Sequence, residues 1–219
     1  LRISEMSLPK PIINAAAALG AFAVIGMGLV AVVHDRTKAR IESNEQAVLL
    51  HTLESLIPAD WFDNDILADT ITVIDPDLGT DKPVTIYRAR KNGSPVATVL
   101  SPLAPDGYNG TIKLLVAIRT DGSLAGVRVV SHRETPGLGD PIDIGKSDWI
   151  LGFDGRSLAS PPESRWKVRR DGGDFDQFAG ATITPRAVVK AVYKTLIFFE
   201  RNKQRLFEQD AGNGPGLKS

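Results

Sequence analysis

The residues best equipped for chemistry lie in the stretch Asp174-Phe-Asp-Gln-Phe-Ala-Gly-Ala-Thr-Ile-Thr-Pro-Arg186. Gly180 and Ala181 leave the backbone bare enough for a ligand to come close. Thr182 offers a hydroxyl. Thr184 is expected as the N-cap of a helix, with Pro185 in its first position. The helix would then aim its free N–H groups and the positive end of its dipole over Thr182, an arrangement that suits an anion such as a phosphate. Arg186 would add a positive charge nearby. On the residues alone, a plain helix start after a glycine turn is the better reading.

A second stretch, His132-Arg-Glu-Thr-Pro-Gly-Leu-Gly-Asp140, lies about forty residues earlier. Pro136, Gly137 and Gly139 force a tight loop with exposed N–H groups. Such a loop can lie against a flat ring and hydrogen-bond to it, although a Pro-Gly loop is often only a connection. His132 is expected to anchor the loop.

The elements that must position these stretches are legible from periodicity. Residues 11–33 carry no charge, and Asn14 is their only strongly polar side chain. As a helix they span about 34 Å, enough to cross the hydrocarbon core of a bilayer. The run is too long for the apolar part of a secretory signal, and Ala31-Val-Val33 is a poor cleavage site. A single N-terminal membrane anchor is therefore expected, after a polar lead at 1–10. Charges flank the span almost evenly, with Arg2 and Lys10 before it and Arg36, Lys38 and Arg40 after it. The positive-inside rule gives no orientation.

A connecting helix is expected over 34–60, with apolar residues at helical spacing and Pro58 closing it. A soluble domain follows over 61–208, and residues 209–219 read as a loose tail. Within the domain the period changes to that of strands at 71–74, 84–87, 96–100, 112–118 and 124–130. Asn92-Gly93 and Thr120-Asp-Gly-Ser123 supply turn signals. Ile142–Phe153 reads as a short helix and Trp166–Arg170 as a strand. The closing helix, over 186–207, carries an apolar stripe at Val188, Val192, Leu196 and Phe199. The fold class is α+β: one transmembrane helix, then a single domain with an antiparallel sheet.

Composition narrows the function. The chain has 219 residues, with 26 basic and 26 acidic side chains and no cysteine. No basic patch is interleaved with aromatics, so nothing points to nucleic acid. Disulfides, thiolate-held iron–sulfur clusters and a CxxC pair are excluded. The three histidines are scattered, which disfavours a histidine metal centre. Any redox role would need an organic cofactor.

Asp176-Gln-Phe-Ala-Gly-Ala-Thr182 resembles the flavinylation motif Asp-x-x-(Ser/Thr)-Gly-Ala-Thr of the FMN-binding domain family, with Ala179 where Ser or Thr is usual. Glu134-Thr-Pro-Gly-Leu-Gly139 resembles the segment that lines the flavin in the same family, and Pro105-Asp-Gly-Tyr-Asn-Gly110 resembles its Pro-Asp-Gly-Tyr-x-Gly segment. The resemblance implies a covalent FMN, joined by a flavin transferase through its phosphate to the hydroxyl of Thr182. It also implies that Glu134, Thr135, Leu138 and Gly139 contact the cofactor and that Asp176, Gly180, Ala181 and Thr184 complete the site. Their loops would hold the ring and tune its potential. No catalytic residue and no metal is expected.

Within the family, the length and wording are most similar to members that serve Rnf-type ion-translocating ferredoxin:NAD oxidoreductases of bacterial membranes. The alternative is the longer counterpart in sodium-translocating NADH:quinone oxidoreductases. Either implies an electron carrier without independent catalysis, partnered by other membrane subunits. It would be a single-pass protein of the cytoplasmic membrane with its domain on the outer side. A flavin-free anchored binding or assembly module also explains the anchor and strands, but it gives no reason for the two strings to occur together.

Overall fold

The computed structural model describes residues 10–208 and 217–218; the N-terminal lead at 1–9 and most of the C-terminal tail lie outside them. The chain forms two compact units, residues 1–49 and 50–219.

The first unit is helical. Helix α1, Lys10–Leu56, runs unbroken, so the expected span and connecting helix are one element. It ends two residues before Pro58, which cannot continue a helix ladder. The segment Lys10–Lys38 has a mean hydropathy of 2.4, long and apolar enough to cross a membrane. Large apolar side chains such as Leu19, Phe22 and Ile25 are exposed around it. A helix exposed and apolar all round suits lipid rather than water.

The second unit is built on an antiparallel sheet. Strands β1 (Thr70–Ile74), β2 (Val84–Lys91), β3 (Ser94–Leu100), β5 (Ile112–Arg119) and β6 (Leu124–Ser131) lie side by side in that order. The two-residue β4 (Leu103–Ala104) also pairs with β5, and β7 (Leu217–Lys218) pairs parallel with β1. Asn92 and Gly93 both take positive φ, 51° and 74°, as a two-residue β2–β3 hairpin turn requires. Asp121 Oδ1 accepts from the backbone N–H and hydroxyl of Ser123, at 2.8 and 2.6 Å, and so shapes the β5–β6 turn.

Register sets the core. Ile71, Ile86, Leu100, Val116 and Val127 stand opposite one another across five strands, and all are buried in one cluster. Helix α2, Ile183–Glu208, contributes Val188, Val192, Leu196 and Phe199 to the same cluster. Val99, Leu115 and Ala117, of the opposite strand parity, are also buried, as are Leu53, Leu56 and Ile57. A Cβ on Gly126 of β6 would sit 2.9 Å from Leu56 Cδ2, so that glycine admits the end of α1.

Between β6 and α2 the chain forms no long element. Ile142–Phe153 is not one helix but two 3-10 turns, Asp140–Ile142 and Asp148–Phe153, broken around Gly145. Trp166–Arg170 is not a strand. Only Val168 forms a bridge, parallel to Phe175, before a 3-10 turn at Arg169–Asp171. Trp166 and Val168 are buried, but their alternation serves an aromatic cluster rather than a ladder. Phe153, Trp166 and Phe175 stack with centroids 4.7 to 6.3 Å apart, and Tyr193 of α2 lies 5.6 Å from Trp166.

Candidate functional site

The aromatic cluster anchors the Asp174–Arg186 stretch. Phe175 is buried within it. Trp149 packs edge-on to Phe178 at 5.3 Å and donates its indole N–H to the Asp176 carbonyl at 2.8 Å. Phe178 and Ala181 form a bridge, closed by an N–H bond from Ala181 to the Phe178 carbonyl at 3.2 Å. The reversal takes place at Gly180, whose φ of 79° lies in the left-handed region where a side chain costs about 1–2 kcal/mol. Thr182 is thereby presented immediately before α2.

The helix starts earlier than expected. Its first turn begins at Ile183, and Arg186 N–H bonds the Thr182 carbonyl at 3.3 Å. Thr182 occupies the capping position, and Pro185 stays in the first turn, where its missing N–H costs no helix bond. Thr184 is not a cap: its hydroxyl is committed to the Glu134 carboxylate. Arg186 does not lend its charge to Thr182. Its guanidinium forms a two-point ion pair with Asp171, at 2.7 and 2.9 Å, which holds the Asp171 carboxyl below its ordinary range and raises the Arg186 pKa.

The loop at 132–140 is braced by its own polar groups. Glu134 N–H donates to His132 Nδ1 at 3.1 Å, so His132 is an acceptor in the loop frame. Leu138 and Gly139 N–H groups both reach the Thr135 carbonyl. The buried Asp140 accepts from Gly137 N–H at 2.6 Å.

The two stretches meet around a cleft of about 380 Å3. Glu134, Thr135, Leu138 and Gly139 line it from one side, and Gly180, Ala181, Thr182 and Thr184 from the other. Contact between the stretches is close. A Cβ on Gly180 would lie 3.6 Å from Leu138 Cδ2, and one on Gly139 would lie 2.9 Å from Thr184 Oγ1. Asp176 is not among the lining residues; its exposed side chain pairs with Arg169 at 2.9 Å.

Sequence reasoning missed two lining residues, Tyr108 and Ile183, which are 66% and 45% exposed and give the cleft an apolar mouth with Leu138. It also missed Asn109, which ties a third loop to both Glu134 and Thr135. Tyr108 and Asn109 were detectable from the Pro-Asp-Gly-Tyr segment. Nothing in the order of residues marked Ile183.

Similarity to known proteins follows the same geography. The family described as FMN-binding domain matches residues 107–197, which contain every lining residue of the cleft. The family described as RnfG N-terminal region matches residues 6–56, the region of α1. The G subunit of the ion-translocating oxidoreductase complex of Vibrio atlanticus is 49% identical over 196 residues, covering 90% of this chain and 94% of that one. The protein of the same name from Shewanella loihica is 47% identical over 205 residues, 93% and 97% of the two chains. That from Pseudomonas aeruginosa is 48% identical over 197 residues, 90% and 92%.

Proposed function

The chain belongs to the family of G subunits of ion-translocating oxidoreductase complexes, and from that premise we propose that it relays electrons through an FMN esterified to Thr182. At the coarser level it is a membrane-anchored flavoprotein component of such a complex. The finer reading adds the covalent bond, a flavin transferase that makes it, an Rnf-type ferredoxin:NAD complex with other membrane subunits as partners, and a domain on the outer side of the cytoplasmic membrane.

One observation carries the reading. Two strings about forty residues apart, each resembling a flavin-contacting segment, line one cleft with Thr182 in its wall. The cleft fits the group. Its volume of about 380 Å3 falls within the range of about 300–1,000 Å3 usual for small-molecule sites. Tyr108, Leu138 and Ile183 offer apolar surface to a flat ring. Gly139 and Gly180 leave backbone where a side chain would intrude or strain.

When bound, FMN supplies the capacity to take up and pass on electrons. The protein's own residues supply position and electrostatics. Thr182 would be a tether: its hydroxyl oxygen would become the bridging ester oxygen as the transferase breaks the bond from the FMN phosphorus to its leaving group, which departs with the hydroxyl proton. The first N–H groups of α2 have no carbonyl one turn back, and with the helix dipole they favour the phosphate charge that remains. The cluster of Trp149, Phe153, Phe175 and Phe178 keeps the Thr182 turn from drifting. The ester keeps the cofactor from diffusing away outside the cell.

The test is a denaturing gel of the full-length chain from its native membrane, viewed under ultraviolet light. Flavin fluorescence that stays with the band, and is absent from Thr182→Val, is the expected result. A dark band from a host with active transferase refutes the covalent reading. Protease accessibility in spheroplasts tests the outward domain, which should be cleaved without lysis.

A further inference from the structure

Glu134 is buried, 4% exposed, yet its carboxylate is not left free for a ligand. Oε1 accepts the backbone N–H of Asn109 at 3.0 Å, and Oε2 accepts the hydroxyl of Thr184. Its own N–H is held by His132 Nδ1. Asn109 extends the tie through its side-chain amide, which donates to Thr135 Oγ1 at 3.0 Å. Two loops and the first turn of α2 therefore converge on one carboxylate. Two glycines make room for it. A Cβ on Gly107 would come within 3.0 Å of Oε1, and one on Gly139 within 3.1 Å of Oε2.

The charge of this group is as informative as its bonds. Both of its partners are neutral donors. Among the described residues no Lys or Arg forms an ion pair with Glu134, nor with the neighbouring buried Asp140. A buried carboxylate is ordinarily paired with a cation. Here the carboxyl lines the cleft wall with no ion-pair partner among the described residues, beside the first turn of α2, and a negative charge in that wall is screened less than it would be in water.

We propose that Glu134 is a positioning residue with two separable effects: its two oxygens lock two loops and the first turn of α2 around the cleft, and its carboxylate, which has no ion-pair partner among the described residues, lowers the reduction potential of the flavin held there. This deepens the flavoprotein reading above and rests on it. An electron that arrives without a proton adds one negative charge to the cleft, and a fixed negative charge in the wall opposes that addition. The lock is a property of the protein alone and needs no flavin.

Glu134→Gln separates the two effects. The Gln oxygen can keep the Asn109 N–H bond. Its amide can donate to Thr184 Oγ1, whose hydroxyl rotates to accommodate it. The lock survives and the charge is gone. Glu134→Ala removes both. Thr184→Val removes one tie and leaves the charge.

The experiment uses the full-length chain in detergent, prepared in hosts with and without the transferase. Flavin-free protein is melted. Glu134→Ala should melt about 6 °C or more below wild type, since two bonds to a charged group are lost, and Glu134→Gln should stay within about 2 °C. Wild-type stability in Glu134→Ala overturns the lock. Flavin-loaded protein is titrated spectroelectrochemically with mediators and dithionite. At a fixed potential, Glu134→Gln should raise the ratio of reduced to oxidised flavin about tenfold, which is about 59 mV for one electron or about 30 mV for two. Thr184→Val, which keeps the charge, should shift far less. An unchanged or lowered potential in Glu134→Gln overturns the charge effect. A wild-type chain that carries no flavin refutes the proposed function instead, and the flavin-free melts still decide the lock.

Discussion

Replacing Gly139 by alanine probes a tightly packed point of the cleft wall. Its φ and ψ, −97° and −18°, suit any L residue, so alanine meets no backbone penalty there. The cost comes from space. The new Cβ would stand 2.9 Å from Glu134 Cβ, 2.9 Å from Thr184 Oγ1 and 3.1 Å from Glu134 Oε2, against comfortable separations of about 3.5–4.0 Å between carbons. Neither neighbour yields easily, because Glu134 is tied to Asn109 and Thr184 lies in the first turn of α2. Overpacking of this kind costs about 1–3 kcal/mol. Separation of Thr184 from Glu134 would add about 1.5–3 kcal/mol. In a chain of this size the overpacking alone lowers the melting temperature by about 2–12 °C. Gly137→Ala, two residues away, is the control: its φ is 77° and its Cβ would meet nothing within 4 Å, so it loses only the left-handed preference, about 1–2 kcal/mol. Melts of flavin-free protein, with flavin content after co-expression of the transferase, separate the two. Both variants should melt lower, and Gly139→Ala alone should also lose flavin. A Gly139→Ala chain that melts and loads like wild type would refute the packing argument.

Three further outcomes are expected. Phe175→Ala, at the centre of the aromatic stack, should lose about 3–5 kcal/mol in equilibrium unfolding and incorporate less flavin, whereas Phe175→Leu should keep most of both. Asp154 is pushed above the ordinary carboxylate range by burial, with Arg128 and Arg119 opposing the shift only in part. Its folded pKa exceeds its unfolded one, so stability is gained as pH falls through the folded value and lost as pH rises. Asp154→Asn should therefore raise the melting temperature at pH 7 and change little near pH 3; a destabilising effect at neutral pH would contradict this. Leu19→Arg combined with Ile25→Arg puts two charges into the apolar helix, each costing about 2.5–3.5 kcal/mol at mid-membrane. Wild type should stay in the carbonate-resistant membrane fraction, and the variant should leave it.

Much of the fold was legible because its elements repeat. The five strands announced themselves by β-prone runs and by Asn-Gly and Asp-Gly turns, and α2 by a stripe whose members reach the core. The region 142–171 was not legible, because 3-10 turns and single bridges carry no period. Trp166 and Val168 alternate like a strand, but stacking of Trp166 on Phe175 and Phe153 decides their place. At the site, the identity of the two strings was readable and most of their residues line the cleft. What failed was local reasoning about groups with distant partners. Thr184 is a good cap by type, but its hydroxyl bonds a residue fifty positions earlier. Arg186 follows the motif in sequence, but Asp171 takes its charge.

The central claim is the ester at Thr182, and mass spectrometry addresses it most directly. The full-length chain purified from its native membrane would be measured intact and then digested. A mass gain of one FMN less one water, located on the peptide that holds Thr182 and missing from Thr182→Val, is the predicted result. An unmodified Thr182 peptide, from a host whose transferase is demonstrably active on another substrate, would contradict it.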